Sequence, residues 1–158
     1  MSRTTRTLLL HGDLDRPAEL TVEQLRRLPA QCARVTFDCR TSGARQHTFE
    51  GPKLWDVLRA SGSRAELAHR KARLRHLLTV TGADGHVALL SWAEIDPEFG
   101  GQQILLATSI DDAPLDDAGP QLVVPGDSCG ARYISGITEV WVGALDGRSA
   151  VQRREPVG

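Results

Sequence analysis

Short apolar runs closed by glycine, proline or aspartate recur along this sequence, and they restrict its fold more than any other feature. Two of them, 77–81 and 86–90, flank a Gly-Ala-Asp-Gly segment, and an Asp-Gly dipeptide between apolar runs favours a tight β-hairpin. The second half of the chain is therefore predicted to consist mainly of short strands. Three further runs of this kind lie at 104–107, 122–124 and 138–142.

Two helices are predicted among the strands of the first half. The apolar run at 7–10 indicates a strand, and Thr21 with Gln24 fits a capping box at the start of a helix. The dipeptide Gly51-Pro52 is predicted to open the second helix, because proline is favoured in a first helical turn.

Apolar and polar residues alternate at 34–39, which is the period of a half-buried strand. Val35, Phe37 and Cys39 are therefore expected on one face, toward the core, and a second strand is expected at 46–49. One continuous core is expected to bury a set of residues spread along the chain: Trp55, Leu58, Leu89, Leu105, Val123 and Val140.

The composition is that of a globular protein. Of the 158 residues, 41% are hydrophobic and 25% are charged. This length fits one domain, which we expect at residues 1–145. The charged stretch 63–76 is expected at the surface. The tail 146–158 has no periodic apolar residues and is expected to be poorly ordered.

Charge and cysteine content exclude several classes of partner. Lys and Arg number 19 and Asp and Glu number 20, so the formal charge of -1 gives no general attraction to nucleic acid or anionic lipid. The three cysteines form no Cys-x-x-Cys pair, which argues against a disulfide framework or a zinc knuckle. No export signal or membrane span is visible, so a cytoplasmic protein is predicted.

Most catalytic motifs are missing from the sequence. It contains no G-x-S-x-G, no P-loop, no dinucleotide-binding glycine pattern and no H-E-x-x-H, so hydrolase, nucleotide-binding and zinc-protease functions lack support. The five histidines have no tight metal-binding spacing. Asp111-Asp112 and Asp116-Asp117 flank a proline and are expected in a solvated turn rather than in a catalytic carboxylate pair.

A long, ordered resemblance is more specific than any single motif. GADG, AEIDP, ILLA with a D-x-x-P-L turn, GPQLVVPGD and GARYISGITEVWV occur in the order found in the oxidoreductase molybdopterin-binding domain of sulfite oxidases and plant-type nitrate reductases. Upstream, FDCRTSG and FEGPKLWDVLRASG resemble the cysteine strand and the next helix of that domain. The resemblance covers residues 11–143. It implies an α+β fold of mixed β-sheets with short helices, the sulfite-oxidase-type molybdopterin-binding fold.

The resemblance implies a metal ligand. In that family one protein cysteine and one pterin dithiolene bind molybdenum, and Cys39 is the position that matches the cysteine. A thiolate suits this metal, which requires soft sulfur ligands. The alternative for Cys39 is a buried free thiol that packs as a small apolar side chain. Cys32 and Cys129 have no ligand counterpart in the family and are expected to be structural.

The resemblance also implies contacts to the rest of the cofactor. Arg132 in GARYIS corresponds to a basic residue that binds the terminal phosphate of the pterin, although a lone arginine is more commonly an exposed surface residue. Arg40, Arg45 and His47 flank the cysteine and could line the same pocket. Backbone amides of the glycine-rich segment that ends at Gly130 are expected to bind an anion there.

Two functions remain open at this point. Gln121 and Ser135 replace basic residues common in cofactor-bearing relatives, and Cys39 is followed by Arg-Thr-Ser-Gly. One possibility is a molybdenum-cofactor oxidoreductase of the sulfite oxidase type, which performs two-electron oxygen-atom transfer on a small oxyanion or oxide and needs a separate electron-transfer partner. The other is a cofactor-free module that binds a small anion or a protein partner on the same scaffold.

Overall fold

The computed structural model describes residues 6–39, 43–67 and 69–145, with the backbone alone at 38, 39, 66 and 67. Short strands predominate over short helices. The strands are β1 (Leu8–Gly12), β2 (Ala18–Leu20), β3 (Ala30–Cys39), β4 (Gly43–Pro52), β5 (His76–Gly82), β6 (Val87–Ser91), β7 (Leu105–Ala107), β8 (Ser109–Ile110), β9 (Ala113–Pro114), β10 (Gln121–Val123) and β11 (Ile137–Ala144). The helices are α1 (Val22–Arg26), α2 (Leu54–Ala60), α3 (Arg70–Arg73) and α4 (Trp92–Ile95), with a 3₁₀ turn at Arg64–Leu67.

The largest sheet has five strands in the order β2-β1-β11-β5-β6. β1 runs parallel to β11 and the other neighbouring pairs are antiparallel, so the sheet is mixed, as expected. β1 and β11 approach closely at Gly12, whose φ is +108°. A Cβ added there would lie 2.0 Å from the carbonyl oxygen of Val142. Only glycine is compatible with this contact.

A long ribbon of β3 and β4, each of ten residues, forms a second sheet with β8 and β9. Gly51 and Pro52 end this ribbon, so the prediction that they open a helix is wrong; α2 begins at Leu54, after Lys53. The reason is packing, because a Cβ on Gly51 would lie 2.2 Å from the carbonyl oxygen of Leu106. The glycine lets the ribbon lie directly against the β7–β10 pair.

Mainly aliphatic side chains from all three sheets and from the helices form the core. The predicted β5–β6 hairpin is confirmed. Leu89 is 61% exposed, so its predicted burial is wrong. It lies on the edge strand β6, where Ala88 and Leu90 are buried, and the pleat turns Leu89 to the opposite face. Trp55 is only partly buried. The other predicted core residues are at most 1% exposed: Leu58, Leu105, Val123 and Val140.

Several local predictions are also decided by the structure. The capping box at α1 is confirmed, because Thr21 and Gln24 each bind the other's backbone N–H through their side chains. The charged stretch 63–76 is not wholly a surface segment, since His76 is buried and begins β5. Asp111 and Asp112 lie in the predicted turn, with φ of 49° and 64°. The tail 146–158 lies outside the described residues.

No helix in the described ranges is both long and apolar enough to cross a membrane.

Candidate functional site

Cys39 is the last residue of β3, and its backbone pairs with Gly43 at the start of β4. Its side chain lies outside the described part of the chain, and so does the whole of Arg40. The roles of Cys39 as metal ligand and of Arg40 as cofactor contact therefore stay predictions. What the structure does describe is the surface of the ribbon next to this position.

Aromatic rings cover the ribbon two residues before Cys39. The ring of Tyr133 stands edge-on to Phe37, with centroids 4.8 Å apart and an interplanar angle of 84°. His47 lies 5.9 Å from Phe37 across the ribbon. A Cβ added at Gly130 would lie 2.9 Å from Cε1 of Phe37, so a side chain there would meet the ring. The structure thus brings His47 and Gly130, both predicted site residues, to the strand that carries Cys39.

Tyr133 was not among the predicted site residues. It is 8% exposed, and its hydroxyl oxygen has no hydrogen-bond partner within the described residues. Burial raises the pKa of Tyr133 to about 12, and the charge of Asp127 acts in the same direction, while the backbone amide of Val124 opposes both. No sequence pattern distinguished Tyr133 as a site residue, because a tyrosine at the start of an apolar run is equally suited to the core.

His47 is oriented by a carboxylate. Its Nδ1 lies 2.6 Å from Oδ2 of Asp111, and the backbone N–H of Thr48 donates to the other oxygen of that carboxylate at 2.9 Å. The hydrogen bond with His47, followed by that from Thr48, holds the pKa of Asp111 below its usual value. Asp111 was predicted only as a turn residue, and its left-handed backbone is what points its side chain at the ribbon. Arg45 is exposed and pairs across the ribbon with Phe37.

Arg132 is bound by two carboxylates. Its Nε and Nη2 donate to the two oxygens of Asp127 at 2.8 and 2.7 Å, and Nη1 lies 3.0 Å from Glu94 in α4. Nη1 also donates to the carbonyl of Leu89 at 3.3 Å. The hydrogen bond with Asp127 is the main reason that the pKa of Arg132 is raised and that of Asp127 lowered. The guanidinium therefore fastens the 126–133 loop to α4 and to the free edge of β6.

The remaining cysteines and the acidic turn do not form a metal site. Cys32 and Cys129 are free thiols on the surface, so neither packs in the core. Across the described ranges, no group of three or more His, Cys, Asp and Glu side chains is arranged to hold a metal ion. The turn residues Asp112, Asp116 and Asp117 line a cleft with Glu50 and Arg26. Carboxylates outnumber the one arginine in this lining, so the cleft is unfavourable for an oxyanion.

This mixed-sheet α+β domain has a cysteine as the last residue of β3, and Gly130 of the glycine-rich loop lies against Phe37, two residues before that cysteine. The family model described as the oxidoreductase molybdopterin binding domain matches residues 2–146, and the chain belongs to this family. The predicted membership is thereby confirmed.

The sulfane dehydrogenase SoxCD from Paracoccus pantotrophus has a similar crystal structure, with a TM-score of 0.69 at 18% sequence identity. The match covers 91% of this chain and 40% of that chain, so this chain corresponds to less than half the length of that protein. The likeness confirms the sulfite-oxidase-type fold. No curated protein matches the sequence.

The described residues fit the family's cofactor at one end. The unpartnered hydroxyl of Tyr133 lies beside β3, where a bound group would supply a hydrogen-bond acceptor. At the phosphate end the fit is poorer. Arg132 is already paired with the carboxylates of Glu94 and Asp127, so this cluster of three side chains has a net charge of -1. It therefore offers no unpaired cation to a phosphate.

Proposed function

We propose that this chain is a molybdopterin-dependent oxidoreductase domain that performs two-electron oxygen-atom transfer on a small oxyanion or oxide, with Cys39 as the metal ligand. The observation that carries the proposal is the position of Cys39 at the end of β3, directly beyond the surface formed by Phe37, Tyr133 and Gly130. We place the protein in the cytoplasm, and its electrons pass to a separate partner protein.

When bound, the cofactor supplies the two-electron redox chemistry, and the chain supplies position and surroundings. The Cys39 thiolate would hold the metal, and the pairing of its strand would keep this residue in place. Phe37 and Tyr133 keep water from that side of the site, because their rings pack edge to face over the ribbon. Arg45, exposed opposite Phe37, attracts the oxyanion.

His47 receives a proton in this proposal. Oxidation of a substrate with an oxygen atom from water releases two electrons and two protons, and the protons have to leave the site. Asp111 accepts the hydrogen on Nδ1 of His47 at 2.6 Å, which leaves Nε2 as the acceptor.

A second function is favoured by a specific observation, the double pairing of Arg132. A cofactor-free module would have no use for a phosphate-binding arginine, and here Arg132 is bound to Asp127 and Glu94. Gln121 and Ser135, where relatives often have basic residues, agree with this alternative. Such a module would bind a small anion or a protein partner on the inherited scaffold.

Metal and pterin analysis separates the two functions. The protein is produced in a host with an intact molybdenum-cofactor pathway, beside Cys39→Ser and the matched control Cys32→Ser, which changes an exposed free thiol. We expect about one molybdenum per chain in the wild type and in Cys32→Ser. Cys39→Ser is expected to fold normally and to lose dye-linked oxidation of sulfite, because serine keeps the shape but removes the soft thiolate.

Reproducible absence of molybdenum and pterin from the wild type would decide for the cofactor-free module. Equal activity in Cys39→Ser and Cys32→Ser would remove the metal-ligand assignment even if the cofactor is present.

A further inference from the structure

Tyr133 is the only tyrosine of the chain, and it lies at the end of the 126–133 loop. Its N–H donates to the carbonyl of Gly130 at 3.0 Å, which fixes the end of the loop. The ring contacts two phenylalanine rings: its centroid lies 4.8 Å from that of Phe37 and 6.1 Å from that of Phe49. The side chain thus packs against the face of the β3–β4 ribbon near Cys39.

The Tyr133 hydroxyl is buried, yet no group in the described part of the chain accepts its hydrogen. A buried hydroxyl without a partner is destabilising, so folded proteins usually provide one. The buried hydroxyl of Thr108 follows this rule by donating to the carbonyl of Glu50 at 3.3 Å. Two further buried side-chain atoms in the described ranges lack partners, Oγ of Ser63 and Nε of Arg73, but neither is in an aromatic pair with the ribbon.

The groups described next to the hydroxyl do not accept its hydrogen. A phenol whose pKa is about 12 stays protonated at physiological pH, so it remains a donor and requires an acceptor. The nearby backbone amide of Val124 is itself a donor. The carboxylate of Asp127 is bound by Arg132 through both oxygens, at 2.7 and 2.8 Å.

We propose that the Tyr133 hydroxyl is a ligand-binding group, which donates a hydrogen bond to an oxygen of the group bound between the β3–β4 ribbon and the 126–133 loop. The inference rests on the proposed function only for the place of that ligand. The ligand atom that accepts this hydrogen bond is an anionic or strongly polar oxygen, which belongs either to the cofactor or to a free oxyanion. Because the hydroxyl is covered in this structure, binding requires the loop to move away from Phe37.

The test compares Tyr133→Phe, which removes only the hydroxyl, with Thr108→Val, which removes a buried hydroxyl that already has a partner. Without ligand, Tyr133→Phe is expected to melt at the wild-type temperature or above. Thr108→Val is expected to melt about 2–4 °C lower, the effect of about one hydrogen bond in a chain of this length. Loaded with cofactor, Tyr133→Phe is expected to lose it about 10- to 100-fold more readily than the wild type does, as for a hydrogen bond to a charged acceptor.

A second measurement needs no variant. Tyrosine labelled with ¹³C at Cζ gives a single resonance, because Tyr133 is the only tyrosine. We expect that resonance to shift on cofactor loading and, in protein without cofactor, on titration with sodium sulfate. A shift with sulfate alone assigns the acceptor to a free oxyanion, and a shift on cofactor loading alone assigns it to the cofactor.

The proposal is overturned if Tyr133→Phe loses stability as Thr108→Val does and retains the cofactor as the wild type does, since the hydroxyl would then serve the fold through a resident water. It is also overturned if neither cofactor nor sulfate moves the resonance. If the wild type never acquires molybdenum but sulfate shifts the resonance and Tyr133→Phe abolishes sulfate binding, the proposed function fails and this inference stands.

Discussion

Arg73 and Arg132 each bind two carboxylates around the short helix α4, but the two clusters differ in depth. Arg73 and its partner Asp96 are 11% and 1% exposed, whereas Arg132 and Asp127 are 29% and 23% exposed. Asp96 also accepts from Nε1 of Trp92 at 2.8 Å, so the deeper cluster is joined to the core. The carboxylates are Asp96 and Glu98 for Arg73, and Asp127 and Glu94 for Arg132.

The comparison shows what an arginine in a family motif does and does not indicate. Only the second cluster borders the candidate site, through Gly130 and Phe37. Yet both arginines use the same arrangement to tie another segment to α4. Anchoring of the 126–133 loop is therefore sufficient to explain the pairing of Arg132. A role of this arginine in phosphate binding requires independent support.

The largest effect is expected in the deeper cluster. Asp96→Ala removes the acceptor of Nη1 of Arg73, of the Trp92 indole N–H and of the backbone N–H of Glu98. We expect the free energy of unfolding to fall by about 3–5 kcal/mol, as for other broken buried ion pairs. Urea denaturation measures this. A loss no larger than that of Arg132→Gln would show that greater burial does not make the deeper cluster more stabilising.

A smaller loss is expected for Arg132→Gln, about 1–2 kcal/mol, because partial exposure screens the pair. A double-mutant cycle with Asp127→Asn isolates the direct interaction, and the double variant is expected to be more stable than the sum of the single changes implies. Additive losses would mean that the two side chains do not stabilise each other in solution.

The same cluster predicts a dependence of stability on acid. The pKa of Asp127 is lowered in the folded state by its hydrogen bond with Arg132, so the unfolded chain binds this proton more readily. The contribution is complete above the ordinary pKa of 3.8 and is lost as the pH falls through the lower folded value. Between pH 6 and pH 2, wild-type stability should therefore fall further than that of Arg132→Gln. Parallel curves in thermal melts would contradict this.

The smallest effect is expected where the pair is open to solvent. Arg26 and Asp116 are 44% and 46% exposed. Arg26→Gln should change the free energy of unfolding by less than about 1 kcal/mol, and added salt should reduce the difference further. A loss as large as that of Arg132→Gln would show that burial does not determine how much each ion pair contributes to stability.

Local patterns predicted those parts of the fold that depend on neighbouring residues. The hairpin, the capping box and the strand at Leu105 follow from turn chemistry and apolar runs, and all are present. The errors at Gly51 and Leu89 have a different origin. One depends on contact with β7 and the other on which face of an edge strand is covered, and both are set by chain segments distant in sequence.

The candidate site was predicted less completely for the same reason. The resemblance pointed to Cys39, Arg132 and His47, but it contained no information on their partners. The tertiary structure brings Asp111 to His47, and the loop conformation brings Asp127 to Arg132. Each carboxylate occupies hydrogen-bonding groups that the predicted site residue would otherwise offer to a ligand. A buried hydroxyl such as that of Tyr133 becomes conspicuous only when its surroundings are known.

The parallel pairing of β1 with β11 has a consequence for how this protein is made. Leu10 and Val140 are register partners although 130 residues separate them. At about 5–20 residues per second, a ribosome needs on the order of ten seconds to produce the partner after β1 has formed. During this time Leu8 and Leu10 lack the strand that shields them, and they become targets for chaperones or for other nascent chains. Contacts of such long range also slow the final step of folding, which waits for the last strand of the sheet.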